Sequence, residues 1–144
     1  MITQQRLFEF FSNHPGLVMA FLVVLGALIW TLFQGRSHGV KKVNPSDATR
    51  LINSEDAVVI DVRSDNEFKQ GHILNSLHVP QNYLADQMSK LEKHRERPII
   101  TTCKTGNESA RAGGVLVRRG FQKVYSLNGG ILAWQAANLP LVRE

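Results

Sequence analysis

Apolar positions fall into two regimes along this chain. From Leu17 to Phe33 they run through seventeen residues without a charge, whereas beyond Asn44 they come in short bursts separated by polar turns. Asn44-Pro45-Ser46-Asp47 opens a helix whose apolar face is Ala48, Leu51 and Ile52. The compact run Ala57-Val58-Val59-Ile60-Asp61-Val62 has the β-branched character of a strand buried on both faces of a parallel sheet. The pattern then predicts a short helix over Asn66–Gln70, a strand over Ser76–Val79 that stops at Pro80, and a helix over Tyr83–His94 with Leu84, Met88 and Leu91 on one side. A strand over Pro98–Thr102, a helix over Ser109–Arg119 ending at Gly120, a strand over Lys123–Leu127, a Gly129-Gly130 turn and a helix over Ile131–Ala137 carrying Trp134 complete it. Gly113 and Gly114 lower the propensity of the 109–119 helix, so a close approach to the sheet is expected at one of them. The alternation predicts an α/β fold with ligands beyond the carboxyl ends of its strands.

The uncharged run divides the chain into a tail over 1–16, a transmembrane helix over 17–33, a linker over 34–42 and a domain over 43–144. Seventeen residues make about 25 Å of helix, a little under a hydrocarbon core of about 30 Å. Trp30 and Phe33 suit an interfacial belt. A cleaved signal peptide fits less well, because Arg6 is offset by Glu9 and no small-x-small site follows Phe33. Arg36, Lys41 and Lys42 follow the run, which orients a single-pass anchor in an inner (cytoplasmic) membrane with the C-terminal domain in the cytoplasm. Ile2, Leu7, Phe10 and Phe11 suit either an amphipathic interfacial helix or a lead-in to the span.

Composition narrows the chemistry. Of 144 residues one is cysteine, which excludes an intramolecular disulfide and disfavours a structural zinc site; no metal and no cofactor is expected. A free thiol agrees with a reducing compartment. The net charge is +5, and Arg6 against Glu9 leaves the whole excess to residues 34–144, where in sequence it is scattered. Scattered charge argues against nucleic acid as a partner, while it is compatible with attraction to a lipid bilayer.

Cys103 stands between the 98–102 strand and the 109–119 helix, in Cys103-Lys104-Thr105-Gly106-Asn107-Glu108-Ser109. A thiol there faces the positive end of a helix dipole and several N–H groups with no intrahelical partner, a setting that favours thiolate. The polar stretch after it predicts an exposed loop.

Taken together, Asp61-Val62-Arg63, Glu67-Phe68, Gly71-His72-Ile73, the loop from Cys103 to Glu108, and Gly129-Gly130-Ile131 with Trp134 make residues 43–144 resemble a single-domain rhodanese, a sulfurtransferase fold. The resemblance implies a rhodanese-like five-stranded parallel sheet flanked by helices and a cysteine that cycles through a persulfide. Cys103 would take a sulfane sulfur from a donor such as thiosulfate and pass it to a thiol, a protein thiol or cyanide. Backbone N–H groups over Lys104, Thr105, Gly106, Asn107, Glu108 and Ser109 would converge on the sulfur. Asp61 and Arg63 would support the loop or neighbouring turns, His72 would be a structural histidine, and Trp134 core or pocket rim. Glu108 stands where strongly active members of the family often carry a basic residue. A phosphatase of related fold would need arginine where Ser109 stands. The rival from another class is a membrane-tethered interaction module that keeps the fold, recruits a membrane-protein partner and performs little or no catalysis.

Overall fold

Pro15 carries the fixed φ of a first helical position, so the uncharged run begins its helix there, two residues before Leu17. The computed structural model describes residues 4–34 and 39–144. It has helix α1 at Gln4–Asn13 and helix α2 at Pro15–Gln34. Residues 1–3 of the expected tail and 35–38 of the expected linker lie outside the described residues. The aromatics Phe8, Phe10 and Phe11 of α1 and nearly every described side chain of α2 are exposed. Among the described residues no single helix is long and apolar enough to cross a membrane; the pair Gln4–Asn13 plus Pro15–Thr31, bent by 93°, meets length and composition together. The expected single span over 17–33 is therefore not shown.

Residues 37–144 form a separate unit. Its first element, strand β1 at Lys41–Val43, takes in Lys41 and Lys42, which were expected to be linker. Helix α3 spans Pro45–Glu55, strand β2 Val58–Asp61, helix α4 Asp65–Gln70 and strand β3 Leu77–His78. Helix α5 is only Met88–Leu91. Strand β4 at Ile99–Thr102, helix α6 at Asn107–Arg118, strand β5 at Val124–Leu127 and helix α7 at Gly130–Ala136 follow. The five strands form one parallel sheet in the order β1-β5-β4-β2-β3, which puts β4 in the middle.

Both faces of the sheet are covered, which explains why every residue of β2 and β4 is buried. Side chains alternate along a strand. Val58, Ile60 and Ile99 thus enter one core with Leu84, Met88, Leu91, Ala112, Leu116 and Val124. Val59 and Ile100 enter the other with Ala48, Leu51, Leu127, Ile131 and Trp134. Gly113 is the glycine that allows close approach: a Cβ there would lie 3.0 and 3.1 Å from the Val40 methyls and 3.3 Å from Val124.

The helix expected over Tyr83–His94 is instead a chain of tight turns, with 3-10 segments at Gln81–Tyr83 and Glu92–His94 on either side of α5. Leu84, Met88 and Leu91 are buried all the same. Burial of three side chains on one side is met by turns with i to i−3 bonds such as Lys90 N–H to Gln87 O, so helical spacing here did not require a helix.

Leu116 is fully buried between α6 and the sheet. Leu116→Ala is expected to cost about 3 kcal/mol of unfolding free energy, read from denaturant titration of the full chain, because the cavity it leaves lies between a helix and strands that cannot both relax.

Candidate active site

Strand β4 ends at Thr102, and the peptide N–H of Val62 donates to the Thr102 carbonyl, so the chain leaves the sheet at Cys103 in a fixed direction. The side chain of Cys103 is 1% exposed and belongs to the α6-side core. The loop after it is exposed as expected at Lys104, Thr105, Asn107 and Glu108, while the sulfur lies beneath them. It is not surrounded by hydrocarbon alone. The Gly106 N–H donates to Sγ at 3.0 Å, and the Ser109 hydroxyl lies 3.5 Å from it. Ser109 is itself buried, donates to the Gly106 carbonyl at 3.1 Å and sits 2.9 Å from the Ser126 hydroxyl. Of the loop from Lys104 to Ser109, these two groups touch the sulfur, a smaller set than the expected ring of six.

Helix α6 begins at Asn107, two residues before the expected start, so Glu108 sits in its first turn, where a carboxylate favours the dipole. Gly106 makes the corner at φ +101°, and a Cβ there would lie 3.1 Å from Gly129 N and 3.3 Å from Leu127 O. A left-handed backbone in that little space leaves glycine as the residue that fits.

The other side of the loop is held by α7. Ile131 N–H donates to the Cys103 carbonyl at 2.9 Å and Leu132 N–H to the Lys104 carbonyl at 3.2 Å. These are amides of a first helical turn, without intrahelical acceptors, used here to grip backbone. The grip needs Gly130, where a Cβ would meet the Cys103 carbonyl oxygen at 2.3 Å and the Lys104 carbonyl at 2.6 Å.

Asp61 and Arg63 are buried and paired with each other. Arg63 Nη2 lies 2.7 Å from Asp61 Oδ2, and Nε lies 3.0 and 3.1 Å from the two oxygens. Nη2 also donates to the Gly71 carbonyl at 2.8 Å. The pair therefore ties the Gly71 turn, and it reaches the cysteine loop only through the β2–β4 register, in which Asp61 opposes Thr102. His72, buried and stacked on Phe68 with Nδ1 2.9 Å from the Phe68 carbonyl, makes no contact with Cys103. Its backbone bridges Val142, which closes the C-terminal segment against this turn. Trp134 is core, with Nε1 donating to the Pro140 carbonyl at 3.0 Å.

These elements bound a cleft of about 510 Å³ lined by Arg63, Glu67, Lys104, Leu132, Gln135 and Arg143 among others. It reaches Lys104 but not Cys103, which stays under the loop. The Glu67 carboxyl is held below its ordinary pKa first by the Ser64 hydroxyl, against a burial effect, then by the Ser64 N–H and the charges of Arg63 and Lys104. Among the described residues no cluster of three His, Cys, Asp or Glu could hold a metal. Sequence reasoning missed Ser126, Gly130, Leu132 and Arg143 as parts of this region. Gly130 had a signal in the Gly129-Gly130 pair, whereas Ser126 and Arg143 arrive only through sheet order and the His72–Val142 bridge.

With this geometry in hand, comparison with known proteins is specific. The rhodanese-like domain family profile matches residues 44–137. The Escherichia coli (strain K12) protein YibN is 37% identical over 140 residues, covering 96% of this chain and 98% of its own. Thiosulfate sulfurtransferase GlpE of Pseudoalteromonas translucida is 37% identical over 97 residues, 67% of this chain and 90% of its own. The crystal structure of a rhodanese-related protein from Thermoplasma volcanium superposes with a TM-score of 0.66 at 31% identity over 72% of this chain and 99% of that one.

Gly130→Ala is expected to destabilise the chain by roughly 2 kcal/mol or more, from left-handed backbone cost plus displacement of the Cys103 carbonyl. The same variant should alkylate faster at Cys103, since the loop is no longer gripped, and both effects are read by denaturant titration and timed iodoacetamide labelling. Ser64→Ala should return the Glu67 carboxyl upward toward its ordinary pKa in an NMR titration. A depressed carboxylate stabilises fully above its unfolded pKa and loses that support as pH falls through the depressed value, so Ser64→Ala should flatten the acid limb of the stability profile.

Proposed function

This chain belongs to the rhodanese-like sulfurtransferase family, and we propose that it moves a sulfane sulfur from a donor such as thiosulfate to a thiol or cyanide through a persulfide on Cys103. The observation that carries the reading is the sulfur's position at the end of the central strand, contacted by the Gly106 N–H and the Ser109 hydroxyl. The Gly106 N–H points its hydrogen at the sulfur, where the charge of a thiolate or persulfide would reside, while the Ser109 hydroxyl, which donates to the Gly106 carbonyl, accepts from the resting thiol. The Cys103 thiolate attacks the outer sulfur of thiosulfate; the bond between the two donor sulfurs breaks, and its electron pair leaves with sulfite. Cys103-S-S⁻ remains, and an acceptor thiolate takes the terminal sulfur and restores the Cys103 thiolate. Lys104 and Arg143, both lining the cleft beside the loop, are cations that draw an anionic donor toward it. Because Cys103 is buried, the exposed Lys104 and Thr105 must shift for the donor to reach the sulfur.

The proposal includes a tether. It rests on the uncharged run over 17–33, about 25 Å of helix, which reaches across a hydrocarbon core where flanking residues stretch or the bilayer thins; among the described residues only the bent pair Gln4–Asn13 plus Pro15–Thr31 meets the length and composition of a span. Arg36, Lys41 and Lys42 beyond it favour an inner (cytoplasmic) membrane with the catalytic domain on the cytoplasmic side. The N-terminal segment lies within the 96% of this chain that aligns with the E. coli relative.

Intact-mass measurement of the full chain after exposure to thiosulfate is expected to show the gain of one sulfur atom, removed by added thiol and absent in Cys103→Ser. A mass unchanged by thiosulfate and by other sulfane donors overturns catalysis and leaves a tethered interaction module.

A further inference from the structure

We propose that a face running from the end of the sheet opposite Cys103 along its β1 edge is a docking face for anionic lipid headgroups, built from Arg118, Arg119 and Lys123 at that end and Lys41 and Lys42 on the edge. In sequence these five cations lie in three separate places. A parallel sheet brings them together, because every strand starts at one end and every following helix returns to it. Strand β1, at the sheet edge, pairs with β5 in a register that sets Lys41 against Tyr125 and Lys42 against Ser126, so the two lysines continue along the edge from Lys123, which directly precedes β5. Helix α6 leaves from the Cys103 end and finishes at Arg118, with Arg119 as its cap. The entry of the chain joins the same corner: a Cβ on Gly39 would lie 3.2 Å from Val117 Cγ1, and Val40 packs on Gly113 and Val124.

All five side chains are exposed, and among the described residues none makes an ion pair or a side-chain hydrogen bond. Two arginines at this end are already paired. Arg95 is paired with Glu92, stacks on Phe121 and donates to the Arg119 carbonyl, and Arg97 is paired with Asp56. Glu96 is the carboxylate beside the patch, sharing a small 90 Å³ hollow with Lys123. Glu55 ends α3, which packs on the other face of the sheet.

The chemistry of the partner follows from shape and continuity. The five cations sit on an edge strand, a helix end and the residue that leads into β5, without an aromatic platform or a groove of the kind that single-stranded nucleic acid requires. The chain enters this corner straight after apolar α2, with only residues 35–38 between Gln34 and Gly39, a step of at most about 18 Å even if fully extended. A surface that takes up α2 is thus within reach of the patch, and each cation near an anionic leaflet strengthens attraction roughly fivefold. The inference is independent of sulfur transfer and shares only the tether with the reading above.

Lysine acetylation of the full chain, mapped by mass spectrometry, tests it on nanodiscs of phosphatidylcholine alone and with phosphatidylglycerol. Lys41, Lys42 and Lys123 are expected to react at least fivefold more slowly on the anionic discs at low salt, with the difference lost at high salt and Lys69 and Lys104 unchanged. The double variant Arg118→Gln/Arg119→Gln should lose much of the protection at Lys123 while still gaining sulfur from thiosulfate as the parent does. Equal lysine reactivity on the two discs, whether the chain is embedded in both or in neither, overturns the docking face. Protection by an oligonucleotide without protection on anionic discs overturns it in favour of nucleic acid. A chain that loads no sulfur yet shows the protection supports the face and sinks only the sulfur-transfer reading.

Discussion

Two hydrogen bonds from the first turn of α7 to the carbonyls of Cys103 and Lys104 set the direction of the active loop. A peptide group is planar, so once a carbonyl is committed the following N–H is committed to the opposite side. With the first two carbonyls drawn toward α7, the loop turns at Gly106 and presents that residue's amide to the sulfur. This depends on β5 lying beside β4, since only then does the Gly129-Gly130 turn arrive against Cys103. Strand order, a glycine without room for a methyl and the placement of one thiol are therefore a single constraint.

The Asp61–Arg63 pair is the second. Taking two charges out of water is costly, and the pair offsets that cost with multiple close contacts and a bond to the Gly71 carbonyl. What results is specificity of placement: the Gly71–His72 turn, the Val142 bridge and the wall carrying Arg143 take their positions from one guanidinium. The cleft thus has one wall hung from β2 and another from α7, and the cysteine loop lies between them.

Much of this was legible in sequence because the signals were local. The β-branched run at 57–62 could only be a covered strand, and Cys103 between a strand and a helix with glycine in the turn placed the thiol correctly. The missed pieces have non-local causes. Strand β1 is three residues, two of them lysine, without periodicity, and it exists because β5 offers an open edge. The burial of Cys103 follows from Ala112 and Leu116 packing under the loop, which no property of the polar loop residues reveals. Helical spacing at Leu84, Met88 and Leu91 was real but was met by turns. Charge that looked scattered converged because strand order is not chain order.

A lone thiol has a redox consequence. Many sulfur-handling and peroxide-sensing proteins protect an oxidised cysteine by condensing it with a resolving partner, but Cys103 has no other cysteine in its own chain. A sulfenic acid formed there can return only by meeting a thiol from outside, and further oxidation is irreversible. Concealment under the loop, with 1% of the residue open to water, takes over the protective task that a resolving partner would perform, at the cost of a gate that every donor and acceptor must open.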